Sequence, residues 1–173
     1  IDLPEDIKKE IKRLQKILLS KNLFIGSYPK EDSIHITLKF IGEIDDIKLP
    51  LIKQRLNGVF SKRVSLQLDR LGYFGKDGIK VLWVGLKHEN LLQLNKKIED
   101  SIRDIVTPEN KDFNPHITLA RVKKTSHPKL LVHSLQNMKV SPIKFEAREF
   151  FLKESILTKE KAEHKTLKKF LLK

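Results

Sequence analysis

The segments "DSIHITLKF" (32–40) and "FNPHITLAR" (113–121) spell His-Ile-Thr-Leu twice, each time within an alternation of polar and apolar residues. No other feature of the chain constrains the fold as tightly. In the first segment Ile34, Ile36, Leu38 and Phe40 fall on one face, and Ser33, His35, Thr37 and Lys39 on the other. That period belongs to a half-buried strand. His and Thr are two residues apart in both copies, so their side chains leave the same face. The pattern predicts strands over 33–41 and 115–122, each presenting an imidazole and a hydroxyl.

Other elements fall into place around this pair. Pro4 suits a first helical turn, and Ile7, Ile11, Leu14 and Leu18 recur at helical spacing, which predicts a helix over 4–20. Ile52, Leu56, Val59 and Phe60 predict a helix over 46–60, followed by a strand over 63–70. The stretch "GYFGKDG", with Gly72, Gly75 and Gly78, reads as a turn. The nearly continuous apolar run "IKVLWVGLK" (79–87) predicts a strand buried on both faces. Leu91, Leu94, Ile98, Ile102 and Ile105 predict a helix over 90–106, closed by Pro108. A short helix over 128–138 and a strand over 143–155 follow, and the Lys-rich tail "AEHKTLKKFLLK" fits strand or helix equally.

The two halves match in order, except that the first lacks the strand that opens the second. This predicts an internal duplication within one bilobal unit spanning 1–173, divided into about 1–72 plus the tail and about 79–155. An opening strand directly before Ile1 is expected on the same grounds.

The 173 residues, 39% hydrophobic with nine Phe, suffice for one generous domain or two small lobes sharing a core. No apolar run has membrane-spanning length and no signal-peptide pattern appears. The absence of cysteine excludes disulfides, thiolate metal sites and a cysteine nucleophile, and makes the cytoplasm the default location. Against 22 acidic residues stand 35 Lys and Arg, a net charge of +13. Such a field concentrates polyanions, nucleic acid first among them, although a Lys-rich proteome from a warm habitat accounts for it as well.

Two imidazoles facing one substrate form a general acid and a general base, because histidine titrates near neutrality. Two threonine hydroxyls can donate to anionic oxygens. The centre of that arrangement fits a phosphate entered from one side and left from the other. A single His or Thr on a strand is ordinarily a solvated residue or a good strand former. Duplication alone, however, would preserve the apolar pattern and not a polar His and Thr in both copies. Metal binding is the rival reading of paired histidines, but neither motif carries further ligands at metal spacing, and no nucleophile elbow is present. His88, His127, His133 and His164 read as surface residues.

Arg121 would fall on the wrong face under strict alternation from His116. The adjacent apolar pair Leu119 and Ala120 signals a slip of phase, and a bulge there would return Arg121 to the histidine face. A plain surface arginine remains the other reading. Lys39 shares the face of His35 and Thr37 and is a weaker phosphate candidate. Phe40 and Trp83 could stack a base, but core packing suits both better.

With "HITLKFIGE" (35–43) and "NPHITLAR" (114–121) the chain resembles the 2H phosphoesterases, and among them the RNA 2′,3′-cyclic phosphodiesterase (2′-5′ RNA ligase-like) family. "IDLPEDIK", "KVLWVGL" and, near the end, Leu157, Thr158, Leu167 and Phe170 extend the likeness over nearly the whole chain. It departs from the family where Lys159 and Lys161 replace a common Pro and Gly, where His164 replaces a common aromatic, and where "FIGSYPKEDS" lacks a usual tryptophan.

The resemblance implies an α+β fold of two pseudo-symmetric lobes, antiparallel sheets facing a central cleft and helices outside. It implies hydrolysis of RNA 2′,3′-cyclic phosphate ends to a 2′-phosphate, with His116 as proton acceptor and His35 as proton donor. Thr37, Thr118 and Arg121 would bind the phosphate. No metal or other cofactor is required, and the partner is RNA with a cyclic end, bound by a monomer without an obligatory protein partner. Reversible 2′-5′ RNA ligation, hydrolysis of a small cyclic nucleotide, and RNA or nucleotide binding without turnover are the alternatives.

Overall fold

Pro4, with its fixed φ, precedes helix α1 (Glu5–Lys21), and Glu5 and Asp6 complement the exposed amides of its first turn. The stripe of Ile7, Ile11, Leu14 and Leu18 is buried, and Asn22 ends the helix in the left-handed conformation. The computed structural model of the protein describes residues 1–107, 112–157 and 162–173. Pro108, Thr158, Lys159 and Lys161, on which parts of the sequence reading rest, lie outside the described residues, as does the side chain of Leu157.

The remaining elements are β1 (Ile25–Ser27), α2 (Leu49–Asn57), β2 (Val64–Phe74), β3 (Val81–Glu89), α3 (Leu91–Ile102), β4 (His116–Lys124), α4 (Pro128–Asn137), β5 (Lys144–Ala147), β6 (Glu149–Leu157) and β7 (Ala162–Leu171). One antiparallel sheet runs in the order β1-β4-β3-β2-β5, and β6 and β7 form a second, antiparallel hairpin sheet. The architecture is α+β, as the sequence led us to expect. Helices α1 and α4 pack on β4 and β2, while α2 packs on α3 and β7. Alternate residues of the large sheet, including Leu66, Leu68, Leu82, Val84, Ile117 and Leu119, enter a single core with the apolar helix faces. Among the described residues no helix is long and apolar enough to cross a membrane.

Four expectations are corrected. Residues 33–41 do not form a regular strand: a 3-10 turn covers Glu31–Ser33, and only His35 and Ile36 make bridges. Beyond the bridges, the Leu38 carbonyl accepts from the Asn95 side-chain amide at 2.7 Å in place of a strand partner. The helix expected over 46–60 is shorter, since Lys48 N–H closes a turn on the Asp45 carbonyl and the helix has ended by Gly58. Strand β2 runs four residues past the expected end, through Gly72 to Phe74, and the turn is confined to 75–78, where Gly75 and Gly78 hold positive φ. The single strand expected over 143–155 divides at Arg148, β5 pairing with β2 and β6 with the tail strand β7.

Candidate active site

The two HITL words meet at their isoleucines. Ile36 and Ile117 form an antiparallel bridge, and both are almost wholly buried. Burying these side chains on one face sends those of residues 35, 37, 116 and 118 to the other. The bridge also sets His35 across from Thr118, and Thr37 across from His116. Each word is flanked in a corresponding way: His35 is bridged to Asp2, in the segment that leads into α1, and His116 pairs with Gly85 on β3, the strand that leads into α3.

Both imidazoles are oriented by the same device. His35 Nδ1–H donates to the Ser33 carbonyl at 2.8 Å, and His116 Nδ1–H donates to the Asn114 carbonyl at 2.7 Å. In each case the acceptor lies two residues upstream. A proton fixed on Nδ1 leaves Nε2 as the nitrogen available for exchange. Thr37 Oγ1 lies 3.1 Å from His35 Nε2. Each ring also meets a second ring edge to face at 4.8 Å, His116 with Phe74 and His35 with His164.

The supporting rings differ in chemistry. Phe74 leans on Trp83, with ring centroids 5.1 Å apart, and Trp83 lies over the bare backbone of Gly72, its cross-strand partner. On the other side His164 lies within 3.1 Å of Ser155 Oγ through Nδ1. Burial, with the nearby charges of Lys153 and Arg121, holds the His164 ring below the usual imidazole range. His164, a surface residue by its sequence context, is instead half-buried and a neighbour of His35. The one signal available was that a histidine stands where the resembled family carries an aromatic ring.

His35 is the more enclosed of the two motif histidines. Burial pushes its pKa from 6.5 to about 4, opposed by the hydrogen bond to Ser33 and reinforced by His164. A folded-state pKa below the unfolded one means that the native ring holds its neutral form while the unfolded ring takes a proton. Its contribution to stability is therefore complete above pH 6.5 and is lost as the pH falls towards 4. Between pH 7 and pH 4 the wild-type protein is expected to lose about 3 kcal/mol more in urea denaturation than His35→Gln. Equal losses in the two proteins would show that His35 is not held neutral by burial.

Of the other sequence candidates, Thr37 is exposed and Thr118 half-buried on the histidine face. Strand β4 does slip in register: Thr118 opposes Trp83, Ala120 opposes Leu82 and Arg121 opposes Val81, so Leu119 is the extra residue. Trp83 and Val81 share a face of β3, and this bulge brings exposed Arg121 to the face of Thr118. Its charge reaches His164. Lys39 is not brought to the site. Its amine lies 2.6 Å from Glu99 on α3, with only 6% of the side chain exposed. Trp83 is packed as expected, whereas Phe40, also expected in the core, is 66% exposed. His127 and His133 are exposed.

Residues 3–155 match the model of the 2′-5′ RNA ligase superfamily. The chain belongs to this superfamily. It is 32% identical over 161 residues to the RNA 2′,3′-cyclic phosphodiesterase of Methanocaldococcus jannaschii, covering 91% of this chain and 90% of that protein. To the protein of the same name from Aeropyrum pernix it is 35% identical over 145 residues, 80% and 81% of the two chains. The fold matches the crystal structure of apo Escherichia coli LigT with a TM-score of 0.77, at 23% identity and over 99% of this chain and 94% of that one. A Thermus thermophilus protein matches with a TM-score of 0.81, at 22% identity and the same coverage.

Proposed function

We propose that this member of the superfamily hydrolyses 2′,3′-cyclic phosphate ends of RNA to 2′-phosphates by acid–base catalysis between two histidines. The observation that carries the reading is the Ile36–Ile117 bridge, which puts two imidazoles, each with Nδ1 tied to a carbonyl, on one face beside two threonines. The activity named for the archaeal relatives agrees with this chemistry. Both motifs come from one chain, so a single copy carries a complete site. The bilobal unit is, on this reading, one catalytic domain built by duplication.

His116 Nε2 takes a proton from water as the water oxygen attacks phosphorus. The P–O3′ bond breaks and His35 Nε2 delivers a proton to O3′, leaving the monoester on O2′. Thr37, Thr118 and Arg121 hold the non-bridging oxygens, on which charge accumulates in the transition state. Burial holds the His35 ring neutral at pH 7. A phosphate anion alongside favours the charged ring, so substrate binding itself arms the acid. Two imidazoles and a cationic pocket cover proton transfer and charge, and no step calls for a metal.

The test is an end-group assay on a short RNA ending in 2′,3′-cyclic phosphate, run in excess EDTA. A 2′-phosphate product is expected. A 3′-phosphate would reverse the leaving group and the two histidine roles, and loss of the reaction in EDTA would refute metal independence. Bound RNA without any product would leave a binding protein in place of the enzyme.

A further inference from the structure

Beyond the bulge at Leu119, strand β4 is irregular a second time. Against the edge strand β1, Ser27 pairs with Arg121 and Gly26 with Val122, but Ile25 pairs with Lys124. Lys123 is left without a partner in the ladder. Bulges re-aim side chains and open the sheet locally. Here the slip borders a concavity of about 300 Å³ lined by Ile25, Gly26, Ser27, Arg121, Val122 and Lys123. Gly26 is required at this junction, because a Cβ there would lie 2.1 Å from the Arg121 carbonyl oxygen. The lining holds two cations and a hydroxyl but no carboxylate, and neither Arg121 nor Lys123 is ion-paired among the described residues.

Arg121 links this hollow to the histidine site: it lines the hollow, emerges on the face of Thr118, and its charge reaches His164, the ring abutting His35. An anion in the hollow would therefore be a neighbour of the phosphate held between the histidines. In an RNA chain that neighbour is the phosphodiester 5′ to the terminal nucleotide. A mononucleotide 2′,3′-cyclic phosphate has none.

We infer that Ser27, Arg121 and Lys123 form a subsite for the phosphodiester upstream of the cyclic end, so that the protein selects oligonucleotide ends over cyclic mononucleotides. The inference rests on the cyclic-phosphate reading of the main site and names the substrate class within it. Arg121 serves both phosphates, and Ser27 and Lys123 serve only the upstream one. Exposed cations on a single-stranded ligand act mainly through counterion release, so the preference weakens as salt rises.

The experiment compares kcat/KM for a cyclic mononucleotide with kcat/KM for a trinucleotide ending in the same cyclic nucleotide, in wild type, Lys123→Glu and Ser27→Ala. In parallel, the affinities of a nucleoside 2′-phosphate and of a trinucleotide with a 2′-phosphate end are measured at several salt concentrations. Wild type is expected to prefer the trinucleotide, and Lys123→Glu to reduce the ratio of the two kcat/KM values about tenfold. The log–log salt slope for trinucleotide binding should fall by about 0.7 in Lys123→Glu, as for one lost contact to a single strand. A wild type indifferent to length, or a ratio and slope unmoved by Lys123→Glu, would overturn the subsite. Failure of the main reading is distinguishable, since neither substrate would then be turned over while the two binding series still compare the ligands.

Discussion

His116→Ala and His35→Ala are each expected to lower kcat on RNA with a 2′,3′-cyclic phosphate end by roughly 10²–10⁴-fold, while affinity for the RNA should change little. In the proposed mechanism the rings supply protons and little of the binding energy, because Thr37, Thr118 and Arg121 are assigned to the charge on the phosphate. The double variant should be scarcely slower than either single one, as groups that act together in one transition state are not additive. The two defects can also be separated. A diester with a nitrophenolate leaving group has no need of a proton on the departing oxygen, so it should recover rate in His35→Ala and none in His116→Ala. Full wild-type turnover in either alanine variant would rule out the acid–base pair. Recovery confined to His116→Ala would exchange the two roles.

What could be read from the sequence was whatever is written in local periodicity. The buried stripe of α1 and the alternation of the HITL words each report a face that must be hidden, and duplicated polar residues within an apolar pattern singled out His35, Thr37, His116 and Thr118. Even the bulge that turns Arg121 towards the site is visible as two adjacent apolar residues, Leu119 and Ala120. Periodicity is blind to a partner distant in the chain. Lys39 belongs to the histidine face by alternation, yet the pairing has ended by Leu38, whose carbonyl accepts from Asn95, and Glu99 takes the amine. Arg148 interrupts no pattern, although the strands on either side of it join different sheets. His164 and Phe74 acquire meaning only through the rings they touch, and those contacts span long stretches of chain.

Gly72→Ala is expected to reduce kcat on the order of 10²-fold, although Gly72 touches no reacting atom. A Cβ at this position would lie 2.3 Å from two carbons of the Trp83 ring, far inside van der Waals contact. The indole cannot retreat freely, because it also lies against Gly85, where a Cβ would meet it at 3.1 Å. It must shift on the sheet surface, and Phe74, 5.1 Å away, moves with it. Phe74 in turn supports the His116 ring edge to face at 4.8 Å. Overpacking of this kind costs about 1–3 kcal/mol of stability, and misplacing a catalytic group by about 1 Å can cost about 10²-fold in rate. Gly58→Ala is the control, since its Cβ would meet only the Arg55 carbonyl oxygen at 3.4 Å and its φ is negative; rate and stability should hold. The double variant Gly72→Ala/Trp83→Phe, with a smaller ring, should recover part of the loss. Trp83 Nε1 is buried without a hydrogen-bond partner among the described residues, so the phenyl ring forfeits no bond seen there. If Gly72→Ala folds and keeps the wild-type rate, the Trp83–Phe74 stack does not position His116. If the double variant is no faster than the single one, the defect does not pass through the indole.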